Sequence, residues 1–146
     1  MPPDGTSIRR LHASCVRWLE RGILVRGPSG AGKSALLLRL LHAGAWLVAD
    51  DVVEVLAENG LLHARAPARP GLVELRGLGI HRLAHLPRTR LHLAVRLVSG
   101  PGPERLPPPR RTAICGVELA EIALDPDFPA AVAFLGVHLL AQRVDR

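Results

Sequence analysis

Gly27-Pro28-Ser29-Gly30-Ala31-Gly32-Lys33-Ser34 is the stretch that decides the fold of this chain. It matches the pattern G-x-x-x-x-G-K-[ST]. Backbone N–H groups of such a loop cradle phosphates, its lysine reaches the β- and γ-phosphates, and its hydroxyl binds magnesium. On this reading Gly27, Pro28, Ser29, Gly30, Ala31, Gly32, Lys33 and Ser34 bind the nucleotide, and Ser34 also meets the metal. Lys33 is the only lysine, since the 19 Lys+Arg residues are this one and 18 arginines. A chain so biased toward arginine that keeps a lysine here needs a compact ammonium, because the planar guanidinium fork fits a tight loop poorly. A chance glycine-rich turn is the bland alternative. It is outweighed by context, an apolar stretch before the loop and a helical pattern after it. The expected ligand is a nucleoside triphosphate.

Around the loop the chain reads as an α/β domain. Residues 33–43 are leucine-rich helix formers, and Gly44 stands where a C-terminal cap belongs. That helix would begin at the phosphates, with its partial positive charge facing the anion. Upstream, residues 9–18 and 22–26 read as short strands with a turn at Glu20-Arg21-Gly22. Downstream, Trp46-Leu47-Val48-Ala49 is a continuous apolar run, suited to a strand buried on both faces in a parallel sheet. Asn59-Gly60 predicts a hairpin between residues 52–57 and 61–66. Residues 91–98 and 112–124 look like further strands, residues 99–111 like an exposed Pro/Gly-rich loop, and residues 128–142 like a closing helix.

Composition sets the outer bounds. A length of 146 residues with 48% apolar content suits one domain spanning residues 1–146. No apolar run approaches the ~20 residues of a membrane span, and the polar start Met1-Pro-Pro-Asp-Gly does not read as a signal peptide, so no membrane association is expected. Cys15 and Cys115 form no metal-type cluster and are expected as reduced thiols in a cytoplasmic protein. The net charge of +6 raises nucleic acid as a partner, but the arginines are scattered and aromatics make up only 3%. With neither a basic stripe nor a stacking platform, attraction to an acidic partner or to nucleotide phosphates is the milder expectation.

Two further elements carry chemistry. Leu47-Val48-Ala49-Asp50-Asp51 is a hydrophobic strand ending in acids, the arrangement that holds magnesium or positions its water beside a phosphate loop. On an extended strand the two carboxylates would point to opposite faces, so their roles would differ. A solvated strand end is the plainer reading. In Leu72-Val73-Glu74-Leu75-Arg76-Gly77-Leu78-Gly79-Ile80, Glu74 and Arg76 would share one strand face, opposite to Val73 and Leu75. An acid for magnesium beside a guanidinium for phosphate suits phosphoryl transfer. A surface ion pair next to a turn would look the same.

Together these elements resemble the HPr kinase/phosphorylase family, specifically its C-terminal catalytic domain. Glu74-Leu75-Arg76-Gly77-Leu78-Gly79-Ile80 looks like the family's signature stretch, residues 27–34 its phosphate loop, and residues 47–51 its double-aspartate strand. His12, in Leu11-His12-Ala13, stands where the family carries a catalytic histidine. The resemblance covers roughly residues 8–125. It implies a PEP-carboxykinase-like variant of the P-loop fold, a mixed β-sheet with flanking helices. It further implies ATP- and Mg²⁺-dependent phosphorylation of a serine on HPr or an HPr-like phosphocarrier of the phosphotransferase system, together with the reverse phosphorolysis. By the same resemblance Lys33 grips the phosphates, Ser34 and Glu74 hold magnesium, and Asp51 takes the serine proton. His12, Arg76 and Arg105 complete the catalytic set.

Three departures from the family pattern are visible. The chain resembles the short versions without a separate N-terminal domain, and Ala35 follows Ser34 where many relatives place an acid. Asp125-Pro126-Asp127-Phe128-Pro129-Ala130 replaces the arginine- and proline-rich C-terminal segment of longer members. These departures bear on phosphorolysis, on HPr docking and on assembly as a homo-oligomer. Two other readings compete with the protein kinase. A small-molecule P-loop kinase would use Pro87-Arg88-Thr89-Arg90 or Pro109-Arg110-Arg111 as a lid. A nucleotide-sensing module would bind ATP without transfer.

Overall fold

The structure, a computed structural model, describes residues 7–100 and 107–141. Its strands, in chain order, begin with β1 (Ser7–Leu11), β2 (Ala13–Trp18) and β3 (Arg21–Arg26), followed by helix α1 (Lys33–His42). Then come β4 (Trp46–Ala49), β5 (Val53–Glu58), β6 (Leu61–Arg65), β7 (Leu72–Leu75), β8 (Gly79–Arg82) and β9 (Thr89–Leu97). The chain closes with β10 (Arg110–Ile114), β11 (Val117–Leu124) and α2 (Ala131–Leu140).

Nine of the strands form one mixed sheet. Its main path runs β1-β5-β6-β9-β3-β2-β4, and β11, carrying β10, joins the far half of the same β9 edge that β6 uses. The sheet is parallel only where β3, β9 and β11 meet. Strands β7 and β8 form a separate hairpin. Side chains alternate between two cores, as the pleat requires. On β3, Leu24 enters one core while Ile23 and Val25 enter the other. The second core includes Leu36, Leu37 and Leu40 of α1 and Ala131 and Leu135 of α2, so both helices cover the same face. On the exposed flank of the sheet, Glu54 of β5 accepts from Arg65 on β6 (2.8 Å) and Arg10 on β1 (3.1 Å). Those two guanidiniums, Arg65 first, hold the Glu54 carboxyl below its usual range.

Helix α1 ends as its sequence predicts. Gly44 adopts φ 107°, its N–H donates to Leu41 O (3.1 Å), and the N–H of Ala45 donates to Leu40 O (3.0 Å). This left-handed stop satisfies the last carbonyls of the helix. The Asn59-Gly60 hairpin is also present, with φ 54° and 77° at its two turn residues.

Several expectations need correction. Residues 9–18 are two strands, because the chain breaks at His12 and exchanges one partner, β5, for two others, β3 and β4. The following turn uses Leu19 and Glu20, both at positive φ, and Arg21 already belongs to β3. Such two-residue turns match the twist of a hairpin even without glycine. Strand β4 is buried but antiparallel to β2, at the end of the main path, rather than inside a parallel sheet. A loop covers it instead: Leu86 N–H donates to Leu47 O at 2.8 Å. Residues 112–124 form a hairpin turning at Cys115-Gly116 rather than one strand. Arg110 and Arg111 lie in its first strand and Thr89 and Arg90 in β9, so neither arginine run is a free lid. Arg88 is tied to Glu58 at 2.7 Å. The last helix starts at Ala131, three residues later than expected, and Gln142 lies outside the described residues. Both cysteines are free thiols, and among the described residues no helix is long and apolar enough to cross a membrane.

Candidate active site

Strand direction gathers the predicted residues at one end of the sheet. Strand β2 is antiparallel to both β3 and β4, so β3 and β4 end where β2 begins. The 27–34 loop leaves the end of β3, Asp50 and Asp51 follow the end of β4, and His12 precedes the start of β2. Loop and acids therefore lie two strand spacings apart, ~10 Å.

The loop turns through Gly30 (φ 82°) and Gly32 (φ 101°), and Gly32 caps α1. A Cβ on Gly32 would stand 2.8 Å from Pro126 Cγ, so both backbone conformation and space demand glycine there. Among the described residues, no acceptor meets the N–H groups of Gly30, Gly32, Lys33 or Ser34, and the first turn of α1 carries no acid. Gly32, Lys33 and Ser34 open the helix, and donors left unmet at a helix N-terminus suit a phosphate. Lys33 is buried, and its ammonium donates to Gly27 O (2.6 Å) and Pro28 O (3.2 Å). The lysine is thus held by the arch of the loop itself. Ser34 is exposed at the start of the helix.

The acidic corner is shaped by a bulge. Cys15 pairs with Ala49 but Val16 pairs with Leu47, leaving Val48 as the extra residue on β4. Bulges of this kind bend a strand and re-aim the residues after the bend. The Val52 N–H then donates to Asp50 O at 2.8 Å, closing a γ-turn centred on Asp51, whose φ is 69°. Asp51 is therefore not on an extended strand, and the expected alternation of the two carboxylates does not apply to it. The tight reversal directs its side chain into solvent, where the carboxylate meets His12 Nε2 at 3.4 Å. Both partners are more than half exposed. Asp50 is half-buried and accepts a hydrogen bond from Ser14 Oγ at 3.1 Å. Burial pushes the Asp50 carboxyl up, the Ser14 hydroxyl opposes this, and the negative charges of Asp51 and Glu74 add to the rise.

Glu74 and both aspartates line one open cleft of about 490 Å³, whose rim includes Arg10 and Arg69. Glu74 lies on β7 and is exposed. Arg76 is not beside it on a strand. It occupies the turn between β7 and β8, closed by Leu78 N–H donating to Leu75 O at 2.8 Å, with Gly77 at φ 85°. Arg76 is exposed and makes no hydrogen bond or ion pair among the described residues. Arg105 lies outside them. Ser14 was not singled out by the sequence. Its only signal there is a hydroxyl in the otherwise apolar run Ala13 to Val16.

Comparison with known proteins gives a concordant result. The family described as HPr Serine kinase C-terminal domain matches residues 6–97, more than half of the chain. A protein of Aromatoleum aromaticum named HPr kinase/phosphorylase is 40% identical over 116 residues, covering 70% of this chain and 37% of that protein. One of the same name from Clostridium kluyveri is 43% identical over 72 residues, covering 49% of this chain and 23% of that protein. The chain thus spans well under half the length of these relatives. The solved structure of the Hpr(Ser) kinase/phosphatase from Coxiella burnetii superposes with a TM-score of 0.76 at 26% identity. That match covers 90% of this chain and 97% of the other.

Proposed function

The chain belongs to the family of HPr serine kinase C-terminal domains, and from that premise we propose an ATP- and Mg²⁺-dependent protein serine kinase. Its substrate in this reading is HPr or an HPr-like phosphocarrier in the cytoplasm. A second reaction of the same site is phosphorolysis, in which inorganic phosphate takes the phosphoryl group from the phosphoserine to give pyrophosphate and free serine. Residues 1–146 act as one catalytic domain. The observation that carries the reading is the contact of His12 with Asp51 (3.4 Å) at the same sheet end as the lysine-bearing loop.

Each residue has a task its surroundings favour. The loop N–H groups that meet no acceptor among the described residues, together with the Lys33 ammonium, fit the phosphates of ATP. Ser34 and Glu74 offer hard oxygens that fit magnesium, which holds few protein ligands and keeps waters and phosphates as the others. A magnesium ion held there would neutralise charge on the transferring phosphoryl group. A serine hydroxyl attacks poorly until its proton has an acceptor, and the solvent-facing Asp51 carboxylate supplies one. As the serine oxygen bonds to phosphorus, its proton passes to Asp51 and ADP departs. In phosphorolysis an oxygen of inorganic phosphate bonds to the phosphoserine phosphorus and the serine O–P bond breaks. Protonated Asp51 gives its proton to the departing serine oxygen, and pyrophosphate leaves. Beside Asp51 (3.4 Å), the His12 imidazole can hold the inorganic phosphate that accepts the phosphoryl group, so its contribution is larger in the dephosphorylating direction.

Two tests separate these tasks. Glu74→Gln keeps a carbonyl but loses the charge, and it should raise the magnesium needed for half-maximal transfer. Even an outer-shell partner is worth roughly 10–100-fold in metal affinity, so a direct ligand should reach that range. An unchanged magnesium titration would remove Glu74 from the metal site. His12→Ala should slow dephosphorylation of a phosphorylated phosphocarrier more than it slows the kinase direction. Pyrophosphate release in excess phosphate, followed against pH for both forms, reads this directly. Identical profiles would leave His12 with no part in the reaction.

A further inference from the structure

Ser14 is the one buried hydroxyl that reaches the acidic corner among the described residues. It sits on β2 with 1% exposure, between Ala13 and Cys15, both fully buried. A serine in such a place must spend its hydroxyl on protein partners. Here both functions of the hydroxyl are used across the strand gap. Its proton goes to Asp50 Oδ1 at 3.1 Å, and its oxygen accepts the backbone N–H of Asp51 at 3.4 Å. From the same strand the Ala13 N–H donates to Asp51 O at 3.1 Å. Asp51 is thus gripped by β2 at both its N–H and its C=O.

The grip has something to resist. A γ-turn with positive φ at its centre is rare and strained, and an aspartate held there persists only if neighbours enforce it. We propose that Ser14 is a positioning residue, which holds the Asp50–Asp51 corner in its γ-turn and so aims the Asp51 carboxylate at the reacting centre. The hydroxyl acts through Asp51 and touches no substrate. This assignment rests on the kinase reading for its consequence in turnover, but its structural half stands independently. Placing the base within hydrogen-bond reach of the proton it takes is what such a brace achieves, and a misplacement of about 1 Å can cost roughly 10²-fold in rate.

The experiment compares wild type, Ser14→Ala and Ser14→Thr by amide hydrogen exchange and by steady-state transfer to an HPr-like phosphocarrier. Ser14→Ala deletes one oxygen from a strand that already carries alanine next door, so the fold should persist, and unchanged exchange of the β3 amides verifies this. The expected result is at least about tenfold faster exchange of the Asp51 amide in Ser14→Ala, since that N–H loses its acceptor. Turnover should fall by roughly 10–100-fold while KM for ATP stays within about twofold, because the 27–34 loop is untouched. Ser14→Thr, which keeps the hydroxyl, should restore both. Asp51 exchange unaffected by Ser14→Ala would overturn the proposal whatever the activity, and so would freed exchange with wild-type turnover. A wild-type protein that transfers no phosphate would instead defeat the kinase reading, and the exchange comparison would still decide whether Ser14 holds the corner.

Discussion

Asp51→Asn should lower phosphoryl-transfer turnover by roughly 10²–10⁴, the range for loss of a general base and equivalent to about 3–5 kcal/mol of barrier. The amide keeps the size and polarity of the side chain but cannot take the serine proton. The γ-turn survives, because its hydrogen bonds use the backbone of Asp50, Asp51 and Val52 and not the Asp51 carboxylate. Affinity for ATP should change little, since Asp51 lies about two strand spacings from the loop. Asp50→Asn is the matched control. Its carbonyl can still accept from Ser14, and the half-buried side chain is tied down rather than presented to a substrate. Its effect on turnover should be the smaller of the two. A larger loss from Asp50→Asn would exchange the roles of the neighbours.

Lys33→Ala should abolish transfer with the fold intact, because loss of one charged donor at a developing transition-state charge costs roughly 10²–10³ or more. Lys33→Arg should fail almost as badly. The ammonium is 2.6 Å from Gly27 O and 3.2 Å from Pro28 O inside an arch with little free space. A guanidinium is planar and wider, and to fit it must either open the arch or swing away from the phosphates. Calorimetry with ATP and magnesium should show weakened binding for both variants, with thermal melts near wild type. Near-normal turnover by Lys33→Arg would contradict the reason given for the single lysine of this chain.

Features that depend on local spacing were legible in the sequence. The 27–34 loop and α1 are contiguous, and the Gly44 stop and the Asn59-Gly60 turn each rest on residues that tolerate positive φ. The resemblance then assigned His12, Asp51 and Glu74 to one site, and the structure brings His12 to Asp51 and lines one cleft with Asp51 and Glu74. Features set by distant partners were not legible. The break at His12 exists because β1 pairs with β5 while β2 pairs with β3 and β4, a choice no window of sequence contains. The turn at Cys115-Gly116 places a cysteine at φ 51°, where turn chemistry would have suggested asparagine or glycine. The bulge at Val48 depends on the register against β2, and it leads into the γ-turn that points Asp51 away from the strand. Ser14 stayed silent for the same reason, since its partners lie 36 and 37 residues away.

The most direct measurement is to incubate the protein with ATP, magnesium and a purified HPr-like phosphocarrier, then map phosphate on the phosphocarrier by mass spectrometry. The expected result is a single added phosphate on one serine, absent with Lys33→Ala and reduced roughly 10²–10⁴-fold in rate with Asp51→Asn. Binding of ATP without phosphate on any phosphocarrier serine would contradict the kinase assignment, and so would modification that survives Asp51→Asn at the wild-type rate.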